Sequence, residues 1–162
     1  MIDLERIVGI RSRRLNRARQ KLAEARAEFS RAGSQVVTAQ QAVDDFDLAT
    51  RSLEIELLTS ILNKPTSIQT LLMIEEELKK TEKQAKELAQ RLVDAKEVLN
   101  TAGEAAETAA RGTASVERQL TKSQYLLDEA HSAELSKADR CDESELEDFA
   151  SSRNTGLFYH GY

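Results

Sequence analysis

The sequence contains two histidines and one cysteine, the residue types used most often for soft metal ligation and nucleophilic chemistry: His131, Cys141 and His160. A metal site needs several such residues at short, regular spacing, and these three are scattered through the last part of the chain. The many carboxylates fall mostly at solvent-facing helical positions, where they ionise normally and form no acid–base pair. The sequence contains no glycine-rich phosphate loop. We therefore predict no catalytic residues, no cofactor and no metal site, and the chain is not expected to be an enzyme.

The composition is typical of long helices rather than of a compact globule. The 162 residues include one proline, no tryptophan and 4% aromatic residues, while 31% are charged. The net charge of −5 gives no reason to expect a nucleic-acid partner. One cysteine cannot form an internal disulfide. No apolar run is long enough for a signal peptide or a membrane span. These features predict a cytosolic protein without direct membrane insertion.

Apolar residues recur with a period of seven through two long runs. Between residues 4 and 60, fourteen of the seventeen a and d heptad positions are apolar, counted from Val8 at a position a. Between residues 71 and 130, fifteen of eighteen are apolar, counted from Leu71 at a position a. A period of 3.5 residues sustained over this length predicts helices that pair in a left-handed supercoil.

The two runs are separated by residues 63–67, which contain the only proline. Pro65 cannot continue a preceding helix, and Thr66 with Gln69 can form a capping box that starts the next one. We predict helix one at about 3–62, the turn at 63–67, and helix two at about 67–130 or beyond.

The heptads of the two runs are complementary when the chain folds back at the proline. Pairing residues whose numbers sum to 131 places each a position opposite a d position, and large residues then face small ones, as with Phe29 opposite Ala102. The pairing also places Thr50 opposite Thr81 as a polar layer. The predicted fold is all-α, a long two-helix antiparallel coiled-coil hairpin of residues 1–130. The acidic, partly disordered C-terminal part, 131–162, is expected to be a helical extension and flexible tail. The alternative is that each helix pairs with another chain.

The start of the chain is basic. Residues 1–31 contain nine Arg or Lys and four Asp or Glu, a net charge of +5. Such a surface is either an ordinary solvated face or a docking surface for an acidic protein, whose approach it would orient. No aromatic side chain is interleaved with the arginines, which argues against single-stranded nucleic acid as the partner.

Two other regions offer binding surfaces. Near the turn, apolar residues lie away from the seam: Ile55, Leu58, Leu62, Leu72 and Met73. They are either exposed for a partner or covered by helices that splay near the turn. Residues 131–148 carry a net charge of −5, and the end of the chain, 131–162, is expected to be a frayed helix followed by disorder. Its last residues, 156–162, hold three of the seven aromatic residues and are either a plain tail or a short docking motif.

The opening residues Ile7-Val8-Gly9-Ile10-Arg11-Ser12-Arg13-Arg14, followed by Arg17, Ala18 and Leu22, resemble the start of the YscO family of type III secretion stalk proteins, which are similar in design to the flagellar export protein FliJ. The central Pro65 turn with apolar flanks and the acidic run Glu143-Ser144-Glu145-Leu146-Glu147-Asp148-Phe149 fit the same family. The resemblance covers about residues 4–150, and the tail beyond it does not map.

The resemblance implies a central stalk of an export apparatus, cytoplasmic and peripheral to the inner membrane. Its implied partners are a hexameric secretion ATPase, the export gate protein and secretion chaperones. The candidate ATPase-ring residues are Arg6, Arg11, Arg13, Arg14 and Arg17. The candidate gate-contact residues at the hairpin tip are Leu58, Leu62, Leu72 and Met73. Two alternatives involve no ATPase: a coiled-coil holdase that uses the apolar tip, and a passive structural spacer.

Overall fold

The computed structural model describes residues 2–62 and 64–156 and contains two helices. Helix α1 spans Ile2–Ile61 and helix α2 spans Ile68–Gly156. The described residues contain no β-strand. The two helices pack against each other, so the predicted all-α two-helix fold is confirmed. The aromatic residues 157–162, for which a docking motif or a tail was considered, lie outside the described part of the chain.

The chain divides into two compact units, each built from both helices. The terminal unit combines α1 up to Arg19 with α2 from Gly112 onward, and the central unit comprises Gln20–Arg111. The boundary expected at residue 130 lies inside α2, which continues to Gly156. The helical extension expected after residue 130 is present, because α2 continues without a break to Gly156.

The heptad seam is the face that the structure buries. The most buried apolar side chains are Leu15, Ala32 and Leu120, all at a or d positions and exposed by 8% or less. Most other seam residues are half-buried, because two helices alone cannot surround a side chain. The exceptions are the a residues Phe29, Leu71 and Leu78 and the d residue Ser60, which were predicted to lie in the seam and are exposed.

The register matches the antiparallel prediction in the terminal unit. The Thr113 hydroxyl donates to the Ala18 carbonyl at 3.3 Å, and these residue numbers sum to 131 as predicted. One heptad position away, Arg19 Nη2 and Glu117 Oε1 form an ion pair at 2.8 Å. Earlier on α1, Arg11 contacts Ser123, so the partner's residue number on α2 falls from 123 to 113 as the α1 number rises from 11 to 18, and the two helices are antiparallel.

In the central unit, Phe29 packs differently from the prediction. Its ring lies beside Gly103 rather than simply facing Ala102: a Cβ added to Gly103 would be 3.2 Å from Phe29 Cε2. The ring therefore needs the space that the missing side chain leaves, and it remains 44% exposed. The glycine, which costs helical stability relative to alanine, is explained by this close approach.

The start of α2 is capped by Ser67 and not by Thr66 as predicted. Ser67 Oγ accepts a hydrogen bond from the Thr70 backbone N–H at 3.2 Å, which is the usual N-cap contact three residues into a helix. The Thr66 hydroxyl instead donates to the Lys64 carbonyl. Thr and Ser are both good caps, so sequence alone could not choose between adjacent candidates.

The predicted polar layer of Thr50 and Thr81 is only half satisfied. Thr81 is buried and its hydroxyl donates to the Glu77 carbonyl at 2.7 Å, whereas Thr50 Oγ1 is buried and has no hydrogen-bond partner among the described residues. Burying an unpaired hydroxyl costs about 1 kcal/mol or more.

Replacing this hydroxyl should stabilise the protein. We expect Thr50→Val to raise the free energy of unfolding by about 1 kcal/mol, because valine keeps the shape and removes the unpaired group. Urea unfolding followed by circular dichroism would measure the gain. The matched variant Thr81→Val removes a satisfied hydroxyl and should give no gain; equal effects at both positions would contradict this account.

Ion pairs along the exposed face of α2 support the helix near its start. Lys79 Nζ lies 2.6 Å from Glu75 Oε1, and Lys86 Nζ lies 2.7 Å from Glu82 Oε1. Hydrogen bonding to the lysines, with their charge, lowers the pKa of Glu75 and of Glu82. Because the pKa of each carboxyl is lower in the folded state, the ion pairs stabilise the fold at neutral pH. That stabilisation is lost as the pH falls through the lowered pKa.

Candidate protein-binding surfaces

The first candidate surface is on α1 in the terminal unit. The helix opens with acidic residues Asp3 and Glu5 in its first turn, where carboxylates are stabilised by the helix dipole. The arginines that follow lie away from the seam, at heptad positions c, f and g, so they share one side of the helix. All four are exposed, and none forms an ion pair with a described residue: Arg6, Arg13, Arg14 and Arg17.

Two isoleucines lie among these arginines. Ile7 is 41% exposed and Ile10 is 43% exposed, and they precede Arg14 and Arg17 by one heptad. We call the set of Arg6, Ile7, Ile10, Arg13, Arg14 and Arg17 the basic surface. The sequence reasoning missed the isoleucines, although the signal was present: they are apolar residues at g and c positions, the criterion that singled out the tip.

Arg11 lies apart from the other candidate arginines. It is a d residue of the seam, is half-buried, and its guanidinium donates to the Gln119 carbonyl at 2.8 Å and to the hydroxyl of Ser123, which is 2% exposed. Its hydrogen-bonding capacity is therefore partly used inside the protein. The geometry favours a structural role for Arg11 across the helix pair.

Truncating Arg11 should therefore destabilise the fold. We expect Arg11→Ala to lower the free energy of unfolding by about 2 kcal/mol, because a charged donor to the buried Ser123 hydroxyl and to the Gln119 carbonyl is lost. Arg13→Ala, which removes an exposed side chain of the same type, should change it by less than about 0.5 kcal/mol. Thermal unfolding of both variants would test the difference, and equal midpoints would be inconsistent with the structural role.

The second candidate surface is next to the turn in the central unit. The predicted tip residues are all exposed: Leu58 by 56%, Leu62 by 61%, Leu72 by 58% and Met73 by 69%. Ile55 and Ile68 are exposed by 65% and 77%. The alternative in which the helices cover these residues is not observed. We call these six residues the tip surface, and they form an apolar set of the kind that marks protein interfaces.

A known protein family matches nearly the whole chain. The sequence profile of the type III secretion protein YscO family matches residues 4–152. The chain belongs to the YscO family. The match covers nearly the whole chain and confirms the resemblance noted in the sequence. The family consists of secretion components and is not a known enzyme family. No curated protein and no solved structure matches the chain.

The third candidate surface is the last part of α2, most of which lies within the family match. We call residues 132–151 the acidic segment; it contains seven Asp or Glu and two Lys or Arg. Every side chain in it is exposed, and just before it His131 Nε2 on α2 lies 3.9 Å from Glu5 Oε1 on α1. The large apolar residues Leu135, Leu146 and Phe149 are exposed by 67%, 69% and 65%.

The described residues contain no group of three or more His, Cys, Asp or Glu that could hold a metal ion. Cys141, considered above as a ligand, is exposed on the acidic segment. Across residues 2–62 and 64–156, neither helix has a stretch apolar and long enough to span a bilayer.

Proposed function

We propose that this chain is the central stalk and chaperone-escort component of a type III export apparatus. It binds the hexameric secretion ATPase through the basic surface and contacts the export gate through the tip surface. It acts in the cytoplasm, at the periphery of the inner-membrane apparatus. The observation that supports this most directly is a set of four exposed, unpaired arginines beside two exposed isoleucines, in a chain whose family is a type III secretion component.

The basic surface suits an acidic ring. Unpaired guanidinium groups cost no internal contact when they bind a carboxylate, and they form bidentate hydrogen bonds with it. Their charge also steers the approach of an oppositely charged partner and raises the association rate. Ile7 and Ile10 add apolar area that only a closely fitting partner can bury.

The tip surface suits a different kind of partner. It carries leucine, isoleucine and methionine, and methionine adapts to partners of irregular shape. The basic and tip surfaces belong to different units of the chain, while α1 and α2 each supply residues to both units. A protein with two chemically distinct surfaces can bind two partners at once, as coupling between an ATPase and a gate requires.

The test is stimulation of the cognate hexameric secretion ATPase by the purified full chain. We expect the rate of ATP hydrolysis to rise and saturate with increasing concentration of the chain. Unchanged hydrolysis, together with absence of the ATPase among proteins co-purified from cells, would contradict the proposal.

A holdase that needs no ATPase is the second candidate function. The exposure of the tip surface favours it, because six apolar residues could bind unfolded or chaperone-bound cargo directly. This function predicts cargo binding that is unaffected by changes in the basic surface. A passive spacer would bind neither partner.

A further inference from the structure

The acidic segment repeats the residue pattern of the basic surface with the opposite charge. On α1, Ile7, Ile10, Arg14 and Arg17 have the spacing i, i+3, i+7 and i+10. On α2, the same spacing is occupied by Leu135, Ala138, Asp142 and Glu145. In a helix these positions form one stripe, with two apolar residues followed by two charged ones.

Both stripes are open to solvent. Ile7 and Ile10 are exposed by 41% and 43%, and Leu135 by 67%. The carboxylates of Asp142 and Glu145 are exposed and form no ion pair with a described residue. The two bases of the acidic segment, Lys137 and Arg140, lie on the other side of the helix by its 3.6-residue period, so they do not neutralise the stripe.

A helix of this kind is stabilised by a partner. A single exposed helix of about 20 residues with a large net charge is marginal in water, since helices gain most of their stability from packing an apolar face. Every side chain from residue 132 to residue 148 is exposed, so no described part of the chain buries the stripe. The partner that fits this stripe is a basic helix with two apolar residues ahead of two arginines.

We propose that this partner is a second copy of the chain, and that two copies form a reciprocal dimer. The acidic segment of each copy packs along the basic surface of the other, with Leu135 beside Ile7, Ala138 beside Ile10, Asp142 beside Arg14 and Glu145 beside Arg17. Each copy carries both stripes, so one two-fold axis satisfies both contacts.

The direction of the helices permits this pairing. Because Glu5 lies level with His131, the acidic segment projects past the start of α1. When two copies meet end to end, the acidic segment of one therefore runs parallel to α1 of the other. Parallel helices keep equal spacings in step, so all four residue pairs align together. Two such contacts double the buried area, which helps the dimer approach the roughly 1,200 Å² of a specific interface.

The dimer would also cover residues proposed to bind the ATPase. Arg14 and Arg17 cannot contact an acidic segment and an ATPase ring simultaneously, so dimerisation would hold the chain away from the ring. This consequence rests on the proposed function; the dimer itself does not, and it is tested without any ATPase.

The experiment is sedimentation velocity of the full chain, with two charge-reversed variants. Arg14→Glu with Arg17→Glu makes both stripes acidic, and Asp142→Lys with Glu145→Lys makes both basic. Each variant alone should dissociate at a concentration at least about tenfold higher than the unaltered chain. Mixed in equal amounts, the two should form a heterodimer, because each acidic stripe then meets a basic one at both contacts.

The matched control is Glu143→Lys with Glu147→Lys, which makes the same change of charge on the acidic segment away from the stripe. This variant should dimerise like the unaltered chain, and circular dichroism should show all variants equally helical. A monomeric unaltered chain at high micromolar concentration and low salt would overturn the proposal. So would failure of the mixture to restore the dimer, or an equal loss in the control.

Discussion

Replacing three arginines of the basic surface by glutamate, as Arg13→Glu, Arg14→Glu and Arg17→Glu, should raise the chain concentration needed for half-maximal stimulation of the cognate ATPase at least about tenfold. The three side chains are exposed and form no ion pair with a described residue. Their reversal therefore replaces attraction to an acidic ring by repulsion without removing an internal contact. ATP hydrolysis measured against chain concentration, at low and high salt, gives the shift.

The control for this variant carries the same change of charge elsewhere. Lys83→Glu, Lys96→Glu and Arg118→Glu alter three exposed bases of α2 and should leave stimulation close to that of the unaltered chain. A second version, with lysine at positions 13, 14 and 17, keeps the charge and should retain part of the effect, because lysine cannot form the bidentate contact. Full stimulation by the triple glutamate chain would exclude the basic surface as the ATPase contact.

The second large effect is expected at the tip surface. Leu58→Ser with Leu72→Ser should weaken binding to the cytoplasmic part of the export gate by roughly 100-fold. Burying one leucine contributes at least about 1.5 kcal/mol, and each 1.4 kcal/mol is a tenfold change in affinity. Both leucines are more than half exposed in the free chain, so the variant should fold normally. Isothermal titration calorimetry with the purified gate fragment would measure the loss.

The matched control uses apolar residues of similar exposure away from the turn. Leu48 and Val37 are exposed by 64% and 65%, and Leu48→Ser with Val37→Ser should leave gate binding unchanged. The tip variant should still stimulate the ATPase if the two surfaces act independently. If the tip variant no longer binds chaperone-bound cargo but still binds the gate, the holdase function would be favoured over the stalk. An equal loss of gate binding in the control would indicate non-specific hydrophobic association.

The fold could be predicted from sequence because its main determinant is periodic. A seven-residue repeat specifies one helix face, and two such repeats of similar length separated by a proline leave an antiparallel pair as the simplest way to bury both faces. The contact of Thr113 with Ala18 shows that the predicted register holds in the terminal unit. The prediction was wrong where neighbouring residues are chemically alike, as with Ser67 and Thr66 at the cap.

The candidate surfaces were only partly predictable. The sequence identified the arginines of the first helix and the apolar residues near Pro65, because both depart from the heptad pattern. The heptad pattern placed Arg11 at a seam position and Arg13 off the seam, but both were candidate contacts, because the sequence did not separate an arginine engaged within the protein from an available one. That separation depends on Gln119 and Ser123, more than a hundred residues away, which only the folded chain brings to Arg11.

Amino-acid order alone thus determined that this chain forms two paired helices with a basic start, an apolar turn and an acidic end. These properties follow from local periodicity and from the position of charges along the chain. The tertiary structure decided which side chains remain available: Arg13 is exposed and Arg11 engaged, the tip leucines are uncovered, and the acidic segment extends past the end of its partner helix. Exposure depends on what lies opposite each residue, and in a hairpin that neighbour comes from the far end of the sequence.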